Sequence, residues 1–252
     1  METAGRRIRL LIAAAAISSA LGTQPLLAMT VQPVVIDLAT AGRSMSDVII
    51  VENTFDRPLA VEVSSQALQL TEDGVEASGV DTGELAVFPP QASIQPGQRQ
   101  NFRVQYVGEP DLPRSKHYFV TVAQLPVQEV SNESNIQLLY NFQVLVSVAP
   151  DSARPNISIA SAEIGRDESG NPVPVINASN SSAVHGYLSR GRIRVTQRDS
   201  SGQEVFRRDL TGPEIQQSLG YGLIGGGQNR HIALPVSLPS TEGTVTVSYS
   251  AD

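Results

Sequence analysis

The sequence contains no cysteine and no tryptophan, and it has a single lysine and few aromatic residues. Without cysteine no disulfide can form, and thiolate nucleophiles and thiolate metal sites are excluded. The fold must therefore depend on burial of aliphatic side chains, because hydrophobic residues make up 40% of the chain. The net charge of −7 disfavours nucleic acid as a partner, since a phosphate backbone attracts basic surfaces.

Also missing is an apolar run of the ~20 residues that a membrane-spanning helix needs. A basic start with three arginines in residues 6–9 precedes the uncharged apolar residues 10–20. This pattern is typical of an export signal, with Ala28 as the expected cleavage end and Ala20 as the alternative. We therefore expect residues 1–28 to be a signal peptide and the remaining chain to be exported, without direct membrane insertion.

Residues 135–150, NIQLLYNFQVLVSVAP, alternate between apolar and mostly polar side chains. Successive side chains of a strand point to opposite faces, so this period predicts a strand with one apolar face. A strand of fourteen such residues would run ~46 Å, against ~5–6 residues in a typical strand. Either it is one long core strand, or its far half fills the core while its near half offers an apolar row to another protein. The apolar row comprises Ile136, Leu138, Tyr140, Phe142, Val144, Val146 and Val148.

Strand-like segments recur about every ten residues before position 150, and proline and glycine mark the turns between them. About seven antiparallel strands in this length predict an immunoglobulin-like sandwich, with a loop at 72–83 and no amphipathic helix. The other predicted strands are 31–38, 47–51, 59–64, 85–88, 100–107 and 117–125.

Two prolines within residues 149–155 predict a linker, after which the strand pattern restarts. Six further strands and a short helical turn at 213–219 predict a second, smaller β-sandwich. The expected organisation is all-β, with a signal peptide (1–28), an N-terminal immunoglobulin-like domain (29–150) and a C-terminal β-sandwich domain (151–252).

No pattern for catalysis or metal binding is present. His117, His185 and His231 lack the spacing of metal ligands, and no G-x-S-x-G nucleophile motif occurs. The glycine-rich segment 222–227 lacks the Lys-Ser/Thr that a phosphate-binding loop requires, and it is interpreted as a flexible loop. We therefore predict a protein that is not an enzyme and that needs no cofactor or metal.

Three segments together resemble the periplasmic pilus chaperones of the chaperone–usher pathway, the PapD-like proteins. Residues 35–53 are similar to that family's first two strands, and residues 88–104, FPPQASIQPGQRQNFRV, match its P-P-x(3)-L/I-x-P-G-x(5)-R-V/L segment. Residues 117–127 match its aromatic-rich sixth strand. The resemblance implies two immunoglobulin-like domains in a boomerang arrangement and a location in the periplasm.

The resemblance also gives the alternating strand a function. Such chaperones lend a strand to pilus subunits whose immunoglobulin fold lacks its last strand, and they deliver the subunits to an outer-membrane usher. The subunit-binding residues implied here are Ile136, Leu138, Tyr140 and Phe142. The alternative is a secreted two-domain adhesive or surface-structure component, and a β-sandwich hydrolase is disfavoured because the sequence has no nucleophile or metal pattern.

The sequence departs from the family at the residues that hold a subunit's C-terminal carboxylate. The family uses an arginine on the first strand and a lysine near the end of the seventh, and these positions align here with Val34 and Leu145. Neither side chain can pair with a carboxylate. The nearby bases that could replace them are Arg103, Arg99, Arg114 and Lys116.

Overall fold

The computed structural model describes residues 29–126, 138–150 and 154–252. The predicted signal peptide (1–28), the donor residue Ile136 and part of the predicted linker lie outside these residues. We call residues 29–150 the N-terminal half and residues 154–252 the C-terminal half. The described strands of the N-terminal half are β1 (Met29–Gln32), β2 (Val35–Ala39), β3 (Ser46–Asn53), β4 (Leu59–Leu70), β5 (Val75–Ala77), β6 (Leu85–Phe88), β7 (Gln91–Ile94), β8 (Arg99–Tyr106), β9 (Lys116–Gln124) and β10 (Asn141–Ala149).

Two sheets enclose the core of the N-terminal half. One sheet has the strand order β1-β3-β8-β6, and the other has the order β2-β10-β9-β4-β5, with β7 also paired to β4. Each strand turns alternate apolar side chains inward, as β9 does with Tyr118, Val120 and Val122, which are at most 2% exposed. These buried side chains and those of the facing sheet, such as Phe102 and Val104, form one hydrophobic cluster.

The C-terminal half has a separate cluster between smaller sheets. Its sheets have the orders β11-β12-β17, β13-β16 and β15-β14-β18. The predicted helical turn is the short helix α1 (Gly212–Leu219), which begins with a capping box between Thr211 and Glu214. The strands are β11 (Ile157–Arg166), β12 (Pro172–Asn180), β13 (Gly186–Tyr187), β14 (Gly191–Arg198), β15 (Glu204–Leu210), β16 (Leu223–Ile224), β17 (Asn229–Ala233) and β18 (Thr244–Ala251).

A buried asparagine ends one strand in each half. Asn53 Nδ2 donates to the carbonyl oxygens of Arg57 and Ile94, both at 2.8 Å. Asn180 Nδ2 donates in the same way to Val184 O at 2.8 Å and Ile224 O at 3.2 Å. A buried amide must be hydrogen-bonded to be tolerated, so each asparagine fixes the loops that it joins. In the described ranges no helix is both long and apolar enough to cross a membrane.

Two predicted elements of the N-terminal half differ from the structure in more than their boundaries. The single strand predicted at 31–38 is two strands in different sheets: β1 pairs with β3, β2 pairs with β10, and the chain crosses between the sheets at Pro33 and Val34. The loop predicted at 72–83 contains the short strand β5, which pairs with the end of β4. The all-β class and the absence of an amphipathic helix from the described N-terminal half agree with the structure.

The alternating segment is also shorter as a strand than predicted. Its inward row is present from Phe142 to Val148, but Leu138 to Tyr140 lie outside the strand. The partner strand β9 ends at Gln124, whose N–H makes the last backbone bond, to Tyr140 O at 2.9 Å. The N–H of Leu125 points to the other side of β9 and bonds to Ala60 O of β4, and the next residue that would face this segment is Pro126, which has no N–H to donate. The period alone therefore overstates the strand.

Candidate functional site

Strand β10 is paired differently at its two ends. On one side it is antiparallel to β9 along its length from Asn141 to Val148. On the other side it is parallel to β2, but only from Leu145 to Ala149. The last bond of this second ladder runs from Leu145 N to Val34 O, at 3.0 Å. No strand of the described chain pairs with this side of Asn141–Val144, which we call the open edge.

Strand β2 begins where the chain crosses over from the opposite sheet. The chain arrives from β1, which belongs to the opposite sheet, and joins β10 only at Val34 and Val35. Because the chain crosses between the two sheets at Pro33, its pairing with β10 does not extend backwards beyond Val34. Backbone groups of alternate residues point to the same side of a strand, which leaves those of Asn141 and Gln143 facing the open edge. Unpaired edge groups of this kind are a template for another strand.

Apolar side chains lie beside the open edge. Leu138 is 70% exposed and Leu139 is 46% exposed, although both are large and apolar. Tyr140 and Phe142 are partly buried against the core of the N-terminal half, and the Tyr140 ring lies 6.1 Å from that of Phe55. Three of the four predicted donor residues therefore lie together here, and Ile136 lies outside the described residues.

The predicted basic residues are placed elsewhere. Arg99 and Arg103 project from the outer face of β8, in the sheet that does not contain β10, where they bond to Glu52 and Ser46. Lys116 forms an ion pair with Glu84. Burial alone would raise the pKa of the Glu84 carboxyl, but its bonds with Lys116 and Tyr118 lower that pKa below the usual value. Arg114 is exposed and lies beside Gly227 of the other half.

A cavity of about 350 Å³ is lined by both Val34 and Leu145. These are the positions where the family has its two bases. One wall is an apolar row across three neighbouring strands, made by Val35, Leu145 and Phe119. Residues 219–223 of the C-terminal half form the facing wall. The one charged side chain among the lining residues is Arg230, which comes from β17.

A polar network joins the two halves next to this cavity. Asp37, on β2, accepts bonds from His185 Nε2 at 3.0 Å, the Tyr187 hydroxyl at 2.7 Å and Arg190 at 2.5 Å. Since a carboxylate only accepts, Nε2 of His185 carries the proton, and its Nδ1 faces Ser115 Oγ at 2.9 Å. We call these five residues the polar joint.

The charge on Asp37 is strongly favoured. Burial alone would raise the pKa of this carboxyl, but the bonds from His185, Tyr187 and Arg190 together hold the pKa far below its usual range. The side chain remains 33% exposed, so solvent screens part of these attractions. Burial and the nearby Asp37 charge raise the pKa of the Tyr187 hydroxyl, which therefore stays protonated and continues to donate.

His117 lies against the polar joint from the side of β9. Its ring packs edge-on against that of His185, with centroids 5.2 Å apart, and its Nδ1 lies 2.8 Å from Ser147 Oγ on β10. Its Nε2 is buried and has no partner. Burial, and next the neighbouring His185, lower the pKa of His117 to about 3, so the ring is neutral at ordinary pH.

Sequence reasoning missed the joint and misjudged the glycine-rich segment. Asp37 is the one charged residue within an apolar strand, which is a weak signal that it has a specific partner. The segment 222–227 packs closely instead of forming a free loop. A Cβ on Gly225 would lie 2.2 Å from Leu70, and one on Gly226 would lie 2.1 Å from Ala183 O. Gly226 therefore has no room for a side chain against the backbone of its own half, and Gly225 lies close to Leu70 of the N-terminal half.

The fold and site together define a β-sandwich protein that presents an open strand edge next to a cleft. The family model of the pili and flagellar-assembly chaperone, PapD N-terminal domain, matches residues 28–153, half of the chain. The chain belongs to this family of pilus-assembly chaperones. A search of curated proteins finds no match.

Solved structures share the all-β, immunoglobulin-like fold that the sequence predicted. A chain of the chaperone–tip adhesin complex of CFA/I fimbriae biogenesis is 13% identical, with a TM-score of 0.50 and coverage of 87% of this chain and 98% of that one. A chain of the CsuC–CsuE complex from archaic Csu pili of Acinetobacter baumannii is 10% identical, with a TM-score of 0.51 and coverage of 87% and 97%. The YadV chaperone is 13% identical, with a TM-score of 0.52 and coverage of 88% and 91%.

The family comprises non-enzymatic chaperones, so the chain is not an enzyme. Within the part of the chain that the structure describes, no group of three histidine, aspartate or glutamate residues is arranged to hold a metal ion. What the site offers is a row of backbone donors and acceptors flanked by apolar side chains. Such a surface binds an extended peptide and performs no covalent chemistry.

Proposed function

We propose that this chaperone captures a pilus subunit by adding a strand of its own to the subunit's incomplete fold, and that the open edge of β10 is the surface it uses. The observation that carries the proposal is the unpaired side of Asn141–Val144 beside Leu138, which is 70% exposed. A subunit strand paired there would satisfy the backbone groups of Asn141 and Gln143. The donor side chains would be Ile136, Leu138, Tyr140 and Phe142.

Burial of apolar side chains would contribute to capture. Full burial of one large apolar side chain contributes ~1.5–3 kcal/mol. Tyr140 and Phe142 are already partly buried in the free chain, so they gain less from capture than the exposed Leu138. The immobilisation of two partners opposes this gain, and the new backbone bonds offset part of that cost.

The remaining parts of the proposal concern location and organisation. The family is a group of periplasmic chaperones, which supports a periplasmic location after export by residues 1–28. We propose residues 29–150 and 151–252 as two domains, because a separate hydrophobic cluster lies in each half. The outer-membrane usher is the proposed recipient of the captured subunit. Family membership removes the adhesive and hydrolase alternatives.

The test is capture of a cognate pilus subunit, co-expressed in the periplasm, by Leu138→Asp. A carboxylate in the apolar groove of the subunit should reduce capture at least tenfold, because an unpaired charge is costly there. The matched control is Phe88→Asp, which changes a residue that is 74% exposed on the other sheet of the same half. Thermal melts of both variants verify that they fold.

The control separates strand addition from non-specific stickiness. If Leu138→Asp and Phe88→Asp reduce capture equally, then general surface hydrophobicity holds the subunit, and strand addition at β10 is refuted. Full capture by a folded Leu138→Asp variant would refute it as well.

A further inference from the structure

A hairpin of the N-terminal half reaches the C-terminal half through contacts that are separate from the polar joint. Strand β4 is the longest strand of the described chain, and it continues past its last pair with β9, which joins Ala67 and Tyr118. From Leu68 to Leu70 it pairs with β5. A turn at residues 71–74 closes this hairpin, with Thr71 N donating to Gly74 O at 3.0 Å. The β4–β5 hairpin therefore projects beyond the end of the β4–β9 pairing.

The tip of this hairpin is hydrogen-bonded to the C-terminal half. Glu72 O accepts a bond from His231 N on β17 at 2.7 Å, and Thr71 O accepts one from Gln228 Nε2, also at 2.7 Å. The same Gln228 side chain accepts a bond from Gly225 N through its Oε1 at 2.7 Å. One side-chain amide therefore joins the turn before β17 to the hairpin.

The hairpin also packs closely against the C-terminal half. Leu70 occupies the space that a side chain at position 225 would need, since a Cβ on Gly225 would lie 2.2 Å from it. His231 bonds to the hairpin from the edge of β17 that faces away from β12. Both bonds to the hairpin join uncharged groups, so salt does not screen them as it screens the exposed part of the polar joint.

The hairpin and the polar joint connect the halves at separate places beside one cavity. Val75, on β5, lines the cavity of about 350 Å³. Tyr221 lines it too, and its ring packs on that of Tyr187 in the polar joint, with centroids 6.0 Å apart. The halves could turn about a single connection. A second, separate connection restricts that turning.

From these contacts we infer that the β4–β5 hairpin is a strut that holds the two halves in one arrangement and so positions the C-terminal half beside the open edge of β10. The positioning residues are Leu70, Thr71 and Glu72 on the hairpin, and Gly225 and Gln228 opposite them. They act through the arrangement of the halves. The functional part of the inference rests on the proposed strand capture, because a binding surface that is already arranged loses less freedom when a partner binds.

The first experiment shortens the hairpin and measures the arrangement of the halves. Residues 70–75 are replaced by Asn-Gly, a two-residue turn that can close the hairpin at the pair of Gln69 and Glu76. In the wild type, residual dipolar couplings from both halves should fit one alignment tensor. The shortened chain should need two, because its halves then move relative to each other. A folded shortened chain that still fits one tensor would overturn the inference.

The second experiment follows the contact itself and leaves the hairpin intact. The N–H of His231 should be protected from hydrogen exchange in the wild type, because Glu72 O accepts its bond. Gln228→Ala removes the neighbouring bond and should make this exchange about fivefold faster, since a hydrogen bond contributes ~1 kcal/mol. The matched control is Asn229→Ala, which changes the exposed amide next to Gln228 and should leave the rate unchanged. Equal rates in the wild type and Gln228→Ala would contradict the strut.

Capture of a cognate pilus subunit tests the positioning role. If the shortened chain spends roughly a tenth of its time in the correct arrangement, its apparent Kd rises about tenfold, because the intrinsic Kd is divided by that fraction. We expect such a loss in the shortened chain and none in Asn229→Ala. Unchanged capture by a shortened chain that needs two tensors would refute the positioning role. If the wild type itself captures no subunit but shortening still separates the tensors, the strut stands and the proposed strand capture fails.

Discussion

The two ends of strand β10 have the same sequence pattern and opposite environments. Val144, Val146 and Val148 are completely buried, and their stretch is paired on both sides from Leu145 onward. Leu138 continues the same alternation but is 70% exposed and lies outside the strand. An alternating apolar row therefore shows which face is apolar, and the neighbouring strands decide whether that face is covered by this chain.

The largest effect should come from a charge at the buried end. Val146→Asp places a carboxylate in the middle of the core of the N-terminal half, where nothing can pair with it. We expect a loss of at least ~4 kcal/mol in the free energy of unfolding, enough to prevent folding of this half. Circular dichroism and thermal melts measure it, with Leu138→Asp as the matched change at the exposed end.

Equal melting temperatures for these two variants would remove the distinction between the ends. If Leu138→Asp destabilised the free chain as strongly as Val146→Asp, then the near end would be part of the core.

The buried end should also be the pH-sensitive one. The pKa of His117 is about 3 in the folded chain, below the unfolded value of 6.5, so the unfolded chain binds more protons between these values. The contribution of neutral His117 to the free energy of unfolding is therefore fully present above pH 6.5. It decreases as the pH falls below this value, by at most ~1.4 kcal/mol per pH unit. The depressed pKa of Asp37 acts in the same direction at still lower pH.

Urea unfolding of His117→Gln between pH 7.5 and 4.5 tests this pH dependence. The variant should show a flatter decline than the wild type. His231→Gln is the control, because His231 is 48% exposed and lies 3.9 Å from Glu72, outside the polar joint. Identical slopes in the wild type and His117→Gln would contradict the assignment.

Tyr140 lies between the two environments, so its truncation should affect both stability and binding. Tyr140→Ala removes a ring that packs on Phe55 and is partly buried. We expect a loss of ~1–2 kcal/mol in unfolding free energy, less than for a fully buried aromatic residue, and a weaker capture of subunits. Tyr140→Phe keeps the ring and should leave both quantities unchanged, as measured by melts and pull-down. A Tyr140→Ala variant with normal stability would show that the ring contributes nothing to the free chain.

The smallest effect is expected at Val34, where the family would have a base. Val34 is 45% exposed, so Val34→Ala should change stability by no more than ~0.5 kcal/mol. Because the side chain carries no charge, the dependence of subunit affinity on salt should also stay the same. Titration at low and high salt measures this dependence, and a clear change would mean that Val34 positions a charged group.

The sequence was sufficient to predict the all-β fold, the inward row from Phe142 to Val148 and the apolar identity of Leu138 and Tyr140. These features depend on period and composition, which are local. The start of β10 at Asn141 could not be predicted, since it depends on where the partner strand β9 ends and on Pro126. The polar joint was equally out of reach, because Asp37 and His185 are 148 residues apart in the chain.

The interruption at Pro33 has a geometric consequence for any guest. Since β2 occupies the edge of β10 from Leu145 onward, an added strand cannot slide past that point, and the open edge from Asn141 to Val144 spans ~13 Å at ~3.3 Å per residue. A guest strand that abuts β2 would have one end at a fixed position along β10. A slip by one residue would turn every inward side chain outward, so a fixed stop selects one register among the alternatives. The start of β2 beside β10 would thus set the register of an added strand.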